Sequence, residues 1–338
     1  MENSVCIIIP TRNEVKYIER CLQSIICSTY KKELLKVYVC DGMSNDGTIE
    51  IIKQYNSRFP FIHFLENHNL TTPFALNLGI NNSDSEVIII LGAHAEIEPD
   101  YISHCTEILF SNPEIGCVGG IIENISENSA AEIIGFAMSS SFGVGNAHFR
   151  TGAKDGFTDT VAFGAYKRTV VNEIGIFDEN LARNQDDEYN FRLTSWGYKI
   201  YFSNKIRSKY YVRSSYKNLF KQYYQYGYWK VFVNKKHQTI TTLRQLIPMI
   251  FVLFLLLFFT GSFFSHFALI IFLLVSSTYI LLGLYFGKKK SNSIFKTIKI
   301  LFCFLILHIS YGTGYLEGVL DFFVLKKNPG KTKMDITR

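Results

Sequence analysis

Short apolar runs recur through roughly the first 240 positions of the chain, and the segments between them have the spacing of amphipathic helices. The runs lie at residues 5–9, 37–40, 61–65, 87–91 and 115–121, and the helix-like segments at 14–26, 48–55 and 73–80. Alternation of strands and helices at these lengths predicts an α/β fold with a mainly parallel sheet and helices on both faces. Ligands of such sheets bind at the carboxyl ends of the strands.

The pattern changes after about residue 240, where polar residues almost disappear. Residues 246–286 contain no Asp, Glu, Lys or Arg. At about 1.5 Å per residue, roughly 40 apolar residues are enough for two passes through a hydrocarbon core about 30 Å thick. We therefore predict a transmembrane helical hairpin at 244–287, with its turn near 260–262 or 265–266.

A third apolar segment, predicted at 294–325, contains polar residues at positions that would lie deep in a membrane. These are His308, Glu317 and Asp321, and lysines flank the segment on both sides. Because a full span would conflict with the positive-inside rule, we expect a re-entrant or tilted segment, with a full span as the alternative. The remaining residues, 326–338, form a basic tail that we place in the cytoplasm.

The net charge of +6 arises largely near and after the apolar segments. Basic residues in that position indicate attraction to anionic lipid rather than to nucleic acid. The amino terminus lacks the basic start and cleavage site of a secretory signal, and lysines flank both ends of the hairpin. We therefore expect a multi-pass protein of the cell membrane whose first 240 or so residues face the cytoplasm. The seven cysteines include no C-x-x-C pair, which argues against a zinc or redox motif.

Unusual polar residues collect where the predicted strands end. The stretch CDGMSNDGT (40–48) follows the second strand, and Gly92–Ala93–His94 follows the fourth. Asp46 fits a turn that caps the next helix. Asp41 ends a buried strand, where a carboxylate must be solvated or hydrogen-bonded, and a ligand N–H is one candidate partner. Neither a Rossmann glycine fingerprint nor a P-loop is present in the sequence.

Five stretches, in this order and at these intervals, carry a family resemblance. They are CIIIPTRNEVKYIERCLQSI, VYVCDGMSNDGT, TTPFALNLGI, GIFDENLARNQDDEYNFRL and QYYQYGYWK. Together they resemble the family 2 glycosyltransferases, from about residue 4 to 230, and are most similar to membrane-anchored, succinoglycan-type glucosyltransferases that make exopolysaccharides. The resemblance implies a GT-A fold, the Rossmann-like nucleotide-diphospho-sugar transferase architecture, over residues 1–215, followed by the transmembrane helices.

The resemblance also implies a set of donor-binding residues. Pro10, Thr11 and Glu14 would line the nucleotide pocket. Asp41 would bind the base of a UDP-type donor, and Asn77 would lie near the diphosphate.

The family's Asp-x-Asp metal motif is replaced here by Gly92–Ala93–His94, which puts His94 at the second aspartate. Imidazole ligates Mn²⁺ but is a poor ligand for Mg²⁺, so the change favours Mn²⁺ or a weaker site completed by diphosphate oxygens and water. Glu96 is a candidate for a further carboxylate ligand. The alternative is that His94 hydrogen-bonds the diphosphate or a loop carbonyl.

NQDDEYNFRL (184–193) places three acids at the start of a predicted amphipathic helix. Acids in a first helical turn are common because they complement the helix dipole. The resemblance aligns Gln185, Asp186 and Glu188 with the family's catalytic frame, which implies that Asp186 is the general base. An inverting transfer needs one such base. Asp187 is expected to be solvated or structural.

Two further segments contain candidate residues for contact with substrates. In the glycine-rich stretch at 145–171, His148 and Arg150 are candidates for phosphate contacts, although loop solvation is the simpler role. Residues 216–243 predict an amphipathic helix with an aromatic face and a basic rim that includes Lys230, either at the bilayer interface or in a protein core.

In that helix, Gln222 and Trp229 occupy the place of the family's Gln-x-x-Arg-Trp motif, which implies acceptor binding. Gln225 stands where the motif has arginine, and this favours addition of one sugar per visit.

The sequence thus predicts an inverting glycosyltransferase that moves a hexose from a nucleotide sugar, a UDP-sugar by resemblance, to a lipid-linked glycan acceptor in the membrane during polysaccharide synthesis. A polyprenyl-phosphate sugar synthase would use the same sheet and base. A third possibility is a membrane-bound nucleotide-sugar-binding protein whose metal site has decayed.

Overall fold

The computed structural model describes residues 3–145, 147–152, 154–212 and 214–327, so the predicted basic tail lies outside the described residues from position 328 onwards. The chain forms two compact units. Of the described residues, the first unit comprises those within 3–124 and 148–211, and the second comprises those within 125–147 and 212–327. The assignment of 125–147 to the second unit was not predicted, because that stretch interrupts the α/β pattern without a change in composition.

The first unit is built on one mixed sheet. Its strands are β1 Val5–Thr11, β2 Leu35–Asp41, β3 Ile62–Glu66, β4 Val87–Ile90, β5 Ala95–Ile97, β6 Ile115–Ile125, β7 Gly156–Thr158, β8 Ala162–Lys167 and β9 Lys199–Tyr211. Across the described residues their order is β3-β2-β1-β4-β8-β6-β9-β5, and β7 pairs with β9. The first four strands in this order are parallel, whereas β8 runs antiparallel to both β4 and β6.

Helices cover both faces of this sheet. They are α1 Ile18–Ile26, α2 Thr48–Arg58, α3 Thr72–Asn81, α4 Tyr101–Ser111, α7 His148–Thr151, α8 Arg168–Ile174 and α9 Gln185–Ser195, numbered in chain order with the helices of the second unit. Along β1, Ile7 and Ile9 join one buried cluster while Cys6 and Ile8 join another. Burial on both faces is the reason that β1 is a continuous apolar run. The predicted α/β layering is confirmed, with antiparallel strands added on one side.

The second unit is helical. Its helices are α5 Ser129–Met138, α6 Ser141–Val144, α10 Tyr216–His237, α11 Ile247–Gly261, α12 His266–Lys288 and α13 Ile294–Val319, and a π-helical turn, Leu320–Val324, extends α13. Three segments of the described chain are long and apolar enough to cross a membrane: Leu243–Gly261, His266–Lys288 and Ile294–Val324. The turn between α11 and α12 falls at 262–265, between the two positions predicted for it. Phe264 at this turn is 90% exposed.

Helix α13 runs without interruption and continues directly into the π-helical turn. Its acidic side chains meet tyrosines of α10: Tyr224 donates to Glu317 and Tyr228 donates to Asp321. Glycines let the two helices approach closely, because a Cβ on Gly314 would lie 2.0 Å from the carbonyl oxygen of Tyr224. The polar groups of the third apolar segment therefore have protein partners, as groups at membrane depth require.

Candidate active site

The loops that follow β1 and β2 are tied together through Asp41. This carboxylate is 1% exposed. It accepts hydrogen bonds from the backbone N–H of Ser44, at 2.7 Å, and from the Ser44 hydroxyl, at 2.6 Å. The Ser44 oxygen in turn accepts from the N–H of Asn13, at 2.7 Å. Asp41 is thus held rigidly, and since each carboxylate oxygen has two lone pairs, it retains capacity to accept a ligand N–H.

A second set of bonds fixes the start of α2. Asp46 accepts from the backbone N–H of Thr48, at 3.1 Å, and from the N–H of Val15, at 3.2 Å. Partial burial acts to raise the pKa of Asp46, but the hydrogen bonds from Thr48 and Val15 outweigh it, so the pKa is lowered. The Thr48 hydroxyl also accepts from the N–H of Glu14, at 2.9 Å. Asp46 thus accepts from the first N–H of α2, as predicted, although the N-cap position itself is Gly47.

His94 lies beside Glu14, one of the residues predicted to line the nucleotide pocket. The distance from His94 Nδ1 to Glu14 Oε1 is 3.2 Å. Glu14 is buried, Thr11 is buried with its hydroxyl donating to the Ile9 carbonyl, and Pro10 is half-buried. The structure therefore brings His94 and Glu14 into direct contact, a pairing that the sequence did not suggest.

The possible metal ligands around His94 fit a divalent metal only in part. If Nδ1–H donates to Glu14, the bare Nε2 is the nitrogen that faces a metal, an arrangement found in metal-binding histidines. Among the described residues no group of three His, Cys, Asp or Glu side chains is placed to hold a metal ion. Glu96 accepts from the Tyr211 hydroxyl, so its predicted metal role gains no support. A metal bound here would need oxygens from the donor diphosphate and from water.

The first position of the replaced metal motif is crowded by an aromatic ring. A Cβ on Gly92 would lie 3.1 Å from Cε1 of Phe163, tighter than an ordinary contact. Phe163 has a positive φ of 50°, which for an aromatic residue is uncommon. The ring of Phe163 thus lies against the place where the family's first aspartate would begin.

Asp186 lies in the first turn of α9. Its side chain is exposed to solvent. Loss of hydration raises the pKa of Asp186, and the negative charge of Asp187 raises it further. The backbone N–H of Asp187 donates to Asp186 Oδ1, at 2.9 Å. An accessible carboxylate with a raised pKa is a stronger base than an ordinary aspartate, which suits it to a general-base role.

The neighbours of Asp186 have structural roles. Glu188 is fully buried and pairs with Arg192, at 2.9 Å. Arg192 also donates to the carbonyl of Ile174, at 2.8 Å, which ties α9 to the end of α8. Gln185 Oε1 is buried and finds no hydrogen-bond partner among the described residues.

Asn77 is engaged differently from the prediction. Its amide donates to the carbonyl of Phe177 and to Glu179 Oε1, and its Oδ1 accepts from the N–H of Phe177, each at 2.9 Å. Both amide hydrogens are therefore used within the protein, and the predicted position near the diphosphate has no support in these bonds. Phe177 stacks on Tyr189 of α9, with ring centres 4.2 Å apart. Asn77 thus anchors the segment on which α9 rests.

The residues predicted to bind an acceptor lie in the second unit. Trp229 is 0% exposed, and its ring packs edge-on against Tyr228 and Phe232. In this structure the ring is not available to stack on a sugar, because α10 turns it into the helical core. Lys230, assigned to a basic rim, is also fully buried, so the core alternative holds for this part of α10. Gln222 is half-exposed and donates to the Tyr226 hydroxyl, at 2.8 Å.

Comparison with known proteins identifies the family of this chain. The profile of "Glycosyl transferase family 2" matches residues 6–175. The chain is 38% identical over 233 residues, 67% of its length and 72% of the relative's, to the dolichyl N-acetyl-α-D-glucosaminyl phosphate 3-β-D-2,3-diacetamido-2,3-dideoxy-β-D-glucuronosyltransferase of Methanococcus voltae. It is 27% identical to the succinoglycan biosynthesis protein ExoA of Rhizobium meliloti, over 73% of this chain and 74% of the relative.

Solved structures share the fold. A mannosyltransferase from Pyrobaculum calidifontis, in complex with GDP-Man and Mn²⁺, has a TM-score of 0.63 at 16% identity, over 90% of this chain and 88% of that one. TarS of S. aureus in complex with UDP-GlcNAc has a TM-score of 0.53 at 14% identity, over 93% and 91%. The predicted GT-A fold is confirmed. The family profile and the curated relatives together show that the chain is a glycosyltransferase and belongs to glycosyl transferase family 2.

Proposed function

We propose that this enzyme transfers a hexose from a nucleotide sugar to a lipid-linked glycan, with inversion at the sugar C1. The observation that carries the proposal is Asp186, a solvent-accessible carboxylate with a raised pKa at the start of α9. The acceptor class is supported by the relatives, since one is named for a dolichyl-linked sugar phosphate and another for succinoglycan biosynthesis. Nucleotide sugars are bound in both solved structures described above.

In the proposed reaction Asp186 removes the proton from the acceptor hydroxyl. The hydroxyl oxygen forms a bond to C1 from the face opposite the leaving group, and the bond between C1 and the phosphate oxygen breaks. Its electron pair stays on the departing nucleoside diphosphate, and the proton stays on Asp186. The raised pKa of Asp186 makes it a stronger base than an ordinary aspartate.

The proposed donor site lies at the ends of β1 and β2. Asp41 receives an N–H of the nucleotide base, and Pro10, Thr11 and Glu14 form the wall beside it. The support is that Asp41, Thr11 and Glu14 are buried and that Asp41 is fixed by Ser44, so the site is formed before the donor binds. We keep Asn77 out of this set, because its amide hydrogens are already bonded to Phe177 and Glu179.

For the metal, we propose that His94 ligates Mn²⁺ through Nε2 while Glu14 orients the ring. A bound divalent ion would supply a Lewis acid that neutralises charge on the diphosphate. The pairing of Nδ1 with Glu14 supports this role. Direct hydrogen bonding of His94 to the diphosphate is the competing role, and turnover that persists in EDTA would identify it.

The three long apolar segments tether the enzyme to the membrane where its acceptor resides. We propose that the α/β unit faces the cytoplasm, in agreement with the lysines that flank the hairpin. Acceptor contact by Gln222 fits its half-exposed position on α10. Acceptor contact by Trp229 would require α10 to move, since the ring is buried.

The proposal is tested by nucleoside diphosphate release from a panel of UDP- and GDP-sugars, with detergent-solubilised protein and lipid extract from the host. Asp186→Asn should abolish release while leaving donor affinity intact. Asp187→Asn is the matched control, because it removes a charge from the same helical turn and should retain most of the activity. An active Asp186→Asn variant would refute the assignment of the base, and sugar recovered on bare lipid phosphate would identify a polyprenyl-phosphate sugar synthase instead.

A further inference from the structure

Arg150 lies in a position that loop solvation does not explain. It belongs to the short helix α7, and its guanidinium carbon is 5.7 Å from the centre of the Tyr210 ring. One guanidinium nitrogen, Nη1, is buried and has no hydrogen-bond partner among the described residues. A buried N–H of a charged group is costly to leave without an acceptor. The arrangement therefore indicates an anionic partner.

Tyr210 connects this cation to the end of β4. Strand β9 pairs with β5 so that Tyr210 lies opposite Ala95, the residue after His94. The rings of His94 and Tyr210 meet edge-on with centres 4.9 Å apart. One tyrosine thus contacts both the imidazole of His94 and the guanidinium of Arg150. Together with Phe149, whose ring centre is 5.5 Å from the guanidinium carbon, it orients the arginine by cation–π interactions.

The charges at this place require a cation when a diphosphate binds. The buried carboxylate of Glu14 is 3.2 Å from the His94 ring, and a diphosphate beside His94 would add further negative charge. The chain also offers fewer metal-binding carboxylates here than the Asp-x-Asp motif that the family resemblance implies, since Gly92 has no side chain. A guanidinium is suited to the task because its planar N–H groups match phosphate oxygens in pairs and it stays charged at every working pH.

We propose that Arg150 is a further catalytic residue, which donates to the β-phosphate of the nucleotide and stabilises the charge that develops as the bond between C1 and the phosphate oxygen breaks. This inference rests on the proposed transferase function. No proton moves to or from Arg150. The charge that the arginine stabilises is the electron pair left on the phosphate oxygen, which is where preorganised donors contribute most to such a reaction.

The experiment compares nucleotides that differ only in the β-phosphate. Binding of UDP, UMP, GDP and GMP is measured by calorimetry in EDTA, so that a metal does not mediate the phosphate contact, for the wild type, Arg150→Gln, Arg150→Lys and Lys154→Gln. Lys154 is the matched control, because it is an exposed cation in the same segment. We expect Arg150→Gln to weaken diphosphate binding roughly 10- to 100-fold, the range for a lost charged hydrogen bond, and to leave monophosphate binding unchanged. Arg150→Lys should recover part of the loss, and Lys154→Gln should behave as the wild type.

Two results would overturn the inference while leaving the proposed function intact. One is an Arg150→Gln variant whose diphosphate affinity matches that of the wild type. The other is an equal loss of mono- and diphosphate binding, which would mean that Arg150 supports the fold around Tyr210 rather than the phosphate. A wild-type protein that binds none of the four nucleotides would refute the proposed donor site and the inference together.

Discussion

Replacement of Asn77 by alanine tests which of two roles this residue has. The wild-type amide makes two bonds to the backbone of Phe177 and one to the half-exposed Glu179, each 2.9 Å long. Counting about 1 kcal/mol for each of the three, with the charged one discounted for its exposure, the variant should lose about 3 kcal/mol of the free energy of unfolding. For a unit of this size that corresponds to a fall in Tm of roughly 6–12 °C.

Scanning calorimetry of the detergent-solubilised protein measures this loss, and Asn82→Ala is the matched control. Asn82 follows the same helix, α3, and its exposed amide makes a single bond to the Leu78 carbonyl, at 2.8 Å. The control should change stability by no more than about 0.5 kcal/mol. A loss in Asn77→Ala as small as that of Asn82→Ala would refute the anchoring role.

Kinetics of the Asn77 variant separate anchoring from donor binding. If Asn77 only anchors the segment beneath α9, its loss displaces Asp186, so kcat should fall while the KM for the donor changes little. If Asn77 contacts the diphosphate, as the resemblance implies, the donor KM should rise instead. The observed bonds favour the first outcome.

Three other changes test the proposed base, the proposed donor site and the packing of α10. Because the folded-state pKa of Asp186 is raised, the stability that this group contributes is present below its unfolded pKa and is lost as pH rises through the folded value. Asp186→Asn should therefore raise Tm at pH 7 but not at pH 3, as measured by scanning calorimetry. An equal shift of Tm at both pH values would contradict this. Asp41→Ala should weaken nucleotide binding by about 1–3 kcal/mol, as measured by calorimetric titration. Ser44→Ala keeps the Asp41 carboxylate and should weaken binding less. Equal losses in the two variants would mean that Asp41 only holds the loop and does not contact the nucleotide. Gly314→Val should prevent α10 from packing on α13, since a Cβ would lie 2.0 Å from the Tyr224 carbonyl oxygen. The loss of packing should make α10 sensitive to limited proteolysis. A variant as resistant to protease as the wild type would contradict that packing.

The sequence predicted correctly those elements whose apolar positions repeat for a single reason, namely burial in the protein core. Strand β1 and helix α3 are buried in the first unit, so their apolar positions report the core directly. The surroundings of helix α10 could not be predicted, because a helix face toward lipid and a helix face toward protein give the same spacing of apolar residues. The structure packs Trp229 and Lys230 inward, and only tertiary contact with α13 decides that.

The contacts in the site that could not be predicted from the sequence all join residues that are far apart in the chain. Tyr210 reaches His94 through the antiparallel pairing of β9 with β5, a strand of three residues that is too short to show a period. Phe163 fills the space beside Gly92 from strand β8. Spacing along one chain contains no information on which residues face each other across a sheet, so these neighbours could be found only in the folded structure.

Taken together, the departures from the family's motifs change the electrostatics of the site in one direction. Gly92 and Gln185 each stand where the resemblance has a carboxylate, and Phe163 packs where the first of these would begin. A site with fewer carboxylates is expected to bind a divalent cation less tightly and also to repel a donor diphosphate less. Under those conditions a fixed protein cation contributes more to binding than it would beside a fully ligated metal, because less positive charge is already present. Arg150, which contacts Tyr210 while Tyr210 contacts His94, is the cation that we propose for this role.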